Sequence, residues 1–100
     1  MQCVYFLFEG AFRDDDPDYG GHKLFGSAMV PRSAEDEAYQ ILVEDLANEG
    51  ISIIGVENRF VFDPHEVDFE DPENAPWISL YTEAVRFNQT IFTPWQLYQD

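Results

Sequence analysis

The sequence predicts an α+β fold, a two-layer sandwich in which two helices pack on a mixed sheet of four or five strands. Aromatic and β-branched runs alternate with two segments of helical periodicity, turn-forming residues separate them, and 45% of the residues are hydrophobic. The predicted order is β-β-α-β-α-β, with one more strand if the third strand is a hairpin. With 100 residues, the chain has the size of one domain, and we expect 1–100 to form a single one.

The first two predicted strands lie at 2–12 and 23–30. The first strand is apolar on both of its alternating faces, with Tyr5 on one and Phe6 on the other. Two apolar faces predict a central strand that is covered on both sides. The intervening residues 13–21 contain like charges, a proline and paired glycines, which are typical of a surface loop. We expect the two strands to pair antiparallel.

Two helices are predicted, beginning near Ser33 and near Asn74. Ser33 is placed to cap the first helix, with Asp36 completing a variant of the capping box, and Gly50 follows its end. Asn74 as cap and Pro76 in the first turn mark the start of the second helix. The predicted apolar stripes are Ala34, Ala38, Ile41, Leu42 and Leu46 in the first helix, and Trp77, Leu80, Tyr81 and Ala84, with Val85 beside them, in the second. Ile41, Leu42 and Leu46 are expected to pack against the sheet.

The third strand is predicted at 51–62, and two interpretations of it remain open. Gly55 and the polar pair at 57–58 are compatible with a single bent strand or with a tight hairpin. The tail at 90–98 is predicted as a final strand. Because Pro94 cannot donate a ladder hydrogen bond, this strand should lie at an edge or contain a bulge.

The charge balance is the strongest functional signal in the chain. Twenty Asp and Glu residues stand against five Lys and Arg, which gives a formal net charge of −15. Such a surface attracts basic partners and repels nucleic acid and anionic membranes, so we expect neither of the latter as a direct partner. The single cysteine cannot form an internal disulfide, the N-terminal run lacks the basic residues of a signal peptide, and no run is long enough to span a bilayer. These features predict a cytoplasmic protein.

Motifs for catalysis or cofactor binding are not found in the sequence. The loop at 14–18 begins like a calcium loop, but it has Tyr19 where glycine is needed and Phe25 where glutamate is needed. His22 and His65 lack the ordered spacing of a zinc site. Cysteine within a strand usually behaves as a small buried hydrophobe. We therefore predict no enzymatic activity, no metal and no cofactor.

The predicted site is the acidic segment, residues 63–73, with the acidic loop, residues 14–18, as a second patch. If residues 66–70 are extended, their carboxylates project from one face at steps of about 6.6 Å, comparable to a nucleic-acid backbone. A protein that binds phosphates through Lys and Arg could accept this surface instead. Aromatic residues near an edge could anchor a partner's Arg or Lys. The candidate partner-binding residues are Asp63, Glu66, Asp68, Glu70, Asp71, Glu73, Asp14, Asp15, Asp16, Asp18, Trp95 and Tyr98.

The leading hypothesis is an acidic binding or inhibitor protein that neutralises a basic partner, such as a toxin, a nuclease or another nucleic-acid-binding effector. In size, charge and low cysteine content, the chain resembles as a class the immunity proteins of bacterial toxin systems and phage-encoded inhibitors of defence nucleases, and it could be a nucleic-acid mimic. The alternative is a small-ligand-binding or scaffold module whose carboxylates only solubilise it, with the acidic segment a solvated loop anchored by Val67 and Phe69. Steep salt dependence of partner binding would favour the first hypothesis. The oligomeric state is left open.

Overall fold

The computed structural model describes residues 2–15, 17–18, 20–94 and 96–97. The predicted α+β class is confirmed, with a five-stranded, mostly antiparallel sheet and two helices. A short 3-10 turn, Pro72–Asn74, precedes the second helix. The strands are Cys3–Phe12 (β1), Lys23–Val30 (β2), Ile51–Phe62 (β3), Ile91–Phe92 (β4) and Gln96–Leu97 (β5), and the helices are Glu35–Asn48 (α1) and Ala75–Phe87 (α2).

β1 is the central strand, as its two apolar faces predict. It pairs antiparallel with β2 along Val4 to Ala11 and with β3 along Cys3 to Phe12. The strand order is β3-β1-β2-β4, and β5 also pairs with β2. β2 and β3 run in the same direction, but β1 separates them. All pairings between the described strands are therefore antiparallel, where the sequence predicted a mixed sheet.

Two apolar clusters cover the two faces of the sheet. Val4 and Phe6 of β1 belong to a cluster that includes Leu42 of α1. Cys3 of the same strand belongs to a second cluster, which includes Ala84 of α2. Because successive side chains of a strand point to opposite faces, the two helices lie on opposite sides of the sheet. The arrangement has three layers rather than the two of the predicted sandwich, since α1 and α2 pack on opposite faces of the sheet.

α1 begins one residue later than the predicted cap. Ala34 occupies the N-cap position and no side chain bonds the first-turn amides, so the prediction of a Ser33 cap is wrong. Three acidic residues at 35–37 interact favourably with the helix dipole there. Gly50 follows the helix with a positive φ of 77°, as predicted. Three residues of the predicted apolar stripe are fully buried: Ala38, Leu42 and Leu46.

β3 is a single strand with two irregularities, which decides between the two predicted interpretations. Its register against β1 shifts between Leu7 and Phe8 and again between Glu9 and Gly10. Such bulges bend a strand and protect an edge from unwanted pairing. A Cβ atom added at Gly10 would lie 2.9 Å from Ile51 Cγ2, so only glycine allows the two strands this close approach.

α2 and the tail follow the predicted pattern closely. Asn74 is at the N-cap, although its side-chain Nδ2 donates to the Asp68 carbonyl at 3.0 Å instead of capping the helix. The helix ends at Asn88 in the left-handed region, with φ of 49°. The tail lies along the β2 edge as two short strands, β4 and β5. Between these strands, the Thr93 amide donates to the Ser27 carbonyl at 2.9 Å, and Thr93 Oγ1 accepts from the Ser27 amide at 3.1 Å.

Candidate functional site

The acidic segment connects the end of β3 to α2 and forms a series of turns. The amide of Glu66 donates to the Asp63 carbonyl at 3.0 Å, and the amide of Asp71 donates to the Asp68 carbonyl at 3.3 Å. No strand is present between residues 63 and 73. The prediction that residues 66–70 are extended and present an evenly spaced row of carboxylates is therefore wrong. Turn hydrogen bonds hold the backbone of this segment in a more compact conformation.

Three aspartates of the segment build these turns. The carboxylate of each accepts a hydrogen bond from the backbone amide two residues further along the chain, an arrangement called an Asx turn. This geometry stabilises the turns whether or not a partner is bound. The bonds run to Asp63 from the amide of His65, to Asp68 from that of Glu70, and to Asp71 from that of Glu73, each at 2.9 Å.

Asp63 has a further partner that fixes the segment to the start of β1. Its Oδ2 accepts a hydrogen bond from Nε2 of Gln2 at 3.0 Å. The backbone hydrogen bond from His65, and then that from Gln2, lower the pKa of Asp63 below its ordinary value because both favour the charged carboxylate. Asp63 is therefore ionised at neutral pH and has a structural function.

The glutamates of the segment are differently placed. Glu66, Glu70 and Glu73 are exposed, and none of them forms an ion pair or side-chain hydrogen bond with another described residue. Phe69 lies among them with 49% of its surface exposed, whereas Val67 packs in the cluster beneath α2. Val67 thus anchors the segment, which also presents the exposed ring of Phe69 and three unpaired carboxylates. This combination can receive an Arg or Lys side chain through cation–π contact and ion pairing.

The described basic residues do not neutralise the acidic segment. Arg32 pairs with Glu37 at 3.2 Å and Arg59 pairs with Glu35 at 3.5 Å, so both ion pairs lie at the start of α1. Arg13 donates to the Ala47 carbonyl at 3.0 Å. No ion pair among the described residues involves residues 63–73. Their negative charge is available to a partner.

The acidic loop lies at the other end of the sheet. It follows Phe12, whereas the acidic segment follows Phe62, which pairs with Cys3 at the opposite end of β1. A strand of ten residues spans about 30 Å. The structure therefore does not bring the two predicted acidic patches together. Asp14, Asp15 and Asp18 are exposed, and the predicted contacts at Asp16, Trp95 and Tyr98 lie outside the described residues.

A groove of about 360 Å³ opens on the face of the sheet that carries α2. α2 covers only one half of this face: Tyr5 packs against the ring of Trp77, whereas Leu7, the next residue of β1 on that face, is 37% exposed. This groove is not predictable from local sequence patterns, because residues of β1, β2 and the tail form it together. The lining residues include Leu7, Phe25, Ser27, Thr93, Pro94 and Gln96.

The chemistry available to the described residues is limited. No group of three or more His, Cys, Asp or Glu is placed to hold a metal ion within residues 2–15, 17–18, 20–94 and 96–97. Burial raises the pKa of the Cys3 thiol to about 11, so the thiol remains protonated and weakly nucleophilic at neutral pH. None of the helices in this part of the chain has the length and apolar character needed to cross a membrane.

The fold and surface together define an α+β protein with an uncompensated acidic segment at one end of its sheet. Comparison of the chain with known protein families, with curated proteins and with solved structures finds no match.

Proposed function

We propose that the protein binds a basic protein through the acidic segment and inhibits it by covering its positively charged surface. The observation that carries this proposal is the presence of three exposed, unpaired glutamates, Glu66, Glu70 and Glu73, and the exposed ring of Phe69 within one short segment. A partner's Arg or Lys can pair with these carboxylates without breaking an ion pair inside the protein. The ring adds apolar contact area, which interfaces use at their energetically important positions.

The turn geometry supports a binding role. Because the Asx turns already order the segment, it loses less conformational entropy on binding than an unstructured acidic tail would. The formal net charge of −15 accelerates encounter with a basic partner. The partner class is a toxin, nuclease or other nucleic-acid-binding effector, since such proteins expose Lys and Arg for phosphates. The turn geometry supports local contact between these carboxylates and the partner's Lys and Arg side chains. It does not support mimicry of the regular phosphate spacing of a nucleic acid.

The test begins by identifying the partner through capture from host lysate, and it then measures binding rates at low salt. The variant Glu66→Gln/Glu70→Gln/Glu73→Gln should lower the association rate and weaken affinity by about tenfold or more, because charges at an interface rim mainly set association. A matched control, Glu44→Gln/Glu49→Gln/Glu83→Gln, removes three exposed charges from the helices and the turn after α1. It should change affinity much less, and both variants should stay folded and melt at or slightly above the temperature of the parent protein, because each removes three repelling charges.

Two results would refute the assignment of the segment. Equal weakening by the two triple variants would show that only the overall charge matters. Unchanged binding in both would show that the contact lies elsewhere. As a further check, Phe69→Ala should mainly accelerate dissociation, since it removes contact area and leaves the charge unaltered.

The groove favours a second candidate function, the binding of a small ligand. Its volume of about 360 Å³ falls at the lower end of the range of small-molecule pockets, and Leu7, Phe25 and Pro94 give it apolar walls. In this case the carboxylates would serve only solubility. Binding would then be insensitive to salt and to neutralisation of the three glutamates, which distinguishes it from the first proposal.

A further inference from the structure

The part of the groove-bearing sheet face that α2 does not cover contains a carboxylate, Glu9, next to two apolar side chains, and the proposed function does not use it. Glu9 of β1 lies directly opposite Phe25 of β2 and two residues from Leu7, so the three side chains share one face. Glu9 is half-buried. It forms no ion pair or hydrogen bond through its side chain with another described residue.

A half-buried carboxylate without a partner is unfavourable relative to one that is paired, because it has lost part of its hydration. Lys23 is a basic residue on this face, where it lies opposite Ala11 and is exposed. Lys23 does not come within ion-pair distance of Glu9. A cationic side chain of a partner could pair with the Glu9 carboxylate, and the apolar part of that side chain could contact the apolar neighbours of Glu9.

We propose that Leu7, Glu9 and Phe25, with the adjoining groove, bind an Arg or Lys side chain on an extended segment of a basic partner protein. The aliphatic part of that side chain packs on Leu7 and Phe25, and its charged end pairs with Glu9. Neighbouring apolar side chains of the same segment enter the groove beside Pro94. The inference rests on the proposed function, because it assumes a partner of the same basic class.

The location of the surface supports a basic occupant. Glu9 lies in the half of β1 that leads into the acidic loop, where Asp14 and Asp15 are exposed. Their field favours the approach of a cationic segment. The acidic segment lies beyond the opposite end of β1, and the part of the strand from Glu9 back to Cys3 spans about 20 Å. The two surfaces can therefore be tested independently in one protein.

The experiment is a titration of the ¹⁵N-labelled full chain, followed by NMR, with the N-acetylated amide of the tripeptide Leu-Arg-Leu. The control peptide has citrulline in place of arginine, which preserves shape but removes the charge. The arginine peptide should shift the amides of Leu7, Glu9 and Phe25 saturably. The citrulline peptide should bind about tenfold more weakly, since a charge-assisted hydrogen bond contributes about one decade in Kd.

Two variants test whether the charges of Glu9 and Lys23 strengthen or weaken binding of the arginine peptide. Glu9→Gln should abolish the preference for the arginine peptide, and Lys23→Gln should tighten its binding because it removes a like charge from the same face. Melting curves verify that both variants fold. Equal affinity for the two peptides, a preference that survives Glu9→Gln, or the absence of shifts at the sheet face would each overturn the inference. The amides of 66–73 report on the acidic segment separately. Shifts there without shifts at the sheet face overturn this inference and leave the proposed function standing. Shifts at the sheet face without shifts at 66–73 support this inference, and the triple glutamate variant then tests the acidic segment on its own.

Discussion

Truncation of Leu42 to alanine should destabilise the protein by about 2–5 kcal/mol. Leu42 is fully buried in the cluster between α1 and the sheet, together with Phe6 and Leu46. The substitution removes three carbon atoms, and the transfer of each to water costs about 0.8 kcal/mol, or about 2.4 kcal/mol in all. The cavity that remains adds to this cost when its walls cannot close.

The walls of this site should close only in part. Phe6 lies on β1, which is hydrogen-bonded on both sides to β2 and β3, so its backbone cannot move towards the cavity without disturbing both pairings. We therefore expect a value near the middle of the range, about 3 kcal/mol. For a chain of this size, such a loss lowers Tm by roughly 12–24 °C.

Urea denaturation measures this loss directly, as a lower midpoint with an unchanged slope. Val43→Ala is the matched control, because Val43 is the next residue of α1 and is 39% exposed. It should cost less than about 1 kcal/mol. An unchanged midpoint for Leu42→Ala, or equal losses for the two variants, would show that α1 does not pack on the sheet through the face described.

Added salt should raise Tm between low and moderate ionic strength at neutral pH, because it screens repulsion between carboxylates that have no nearby cation; a steady fall would contradict this. Gln2→Ala should raise the pKa of Asp63, followed through its carboxyl resonance by NMR, since Gln2 donates to the charged form. Because folding lowers this pKa, the contribution of Asp63 to stability is present above the ordinary value of 3.8 and is lost as pH falls through the lowered folded-state value. Cys3 should react with a thiol reagent at pH 8 only after unfolding, since burial raises its pKa to about 11.

Local periodicity was sufficient to predict most of the elements. The two apolar faces of β1 identified a central strand, and the apolar stripe of α1 identified Leu42 and Leu46 as core residues. Periodicity does not say which face of the sheet a helix will cover. Cys3 of β1 packs in one cluster with Ala84 of α2, on the face of the sheet opposite to α1. This placement of α2 depends on contacts between residues far apart in the chain, including the pairing of β1 with β3. The two-layer prediction lacked this information.

The acidic segment shows how a correct local pattern can be misread. Residues 66–70 alternate between charged and apolar residues, which has the period of a strand. Asp63 and Asp71 each precede a proline, and this dipeptide favours turns. The turn signal prevailed, because each aspartate satisfies a backbone amide locally and no neighbouring strand is available to the segment. The exposure of Leu7 and the partial burial of Glu9 were not predictable in this way, since they depend on how far α2 extends over the sheet.

The division of roles within the acidic segment changes how its charge should be interpreted. Of the six candidate carboxylates at 63–73, the three aspartates accept backbone hydrogen bonds, so their presence is explained without a partner. Only the glutamates, with the ring of Phe69, have no structural function in the described residues. Loss of binding after replacement of an aspartate would therefore be ambiguous, because the turns would be lost as well. Loss of binding after replacement of Glu66, Glu70 and Glu73, with the fold preserved, would be evidence for a direct contact, and the matched helix and turn glutamates separate that contact from the effect of net charge.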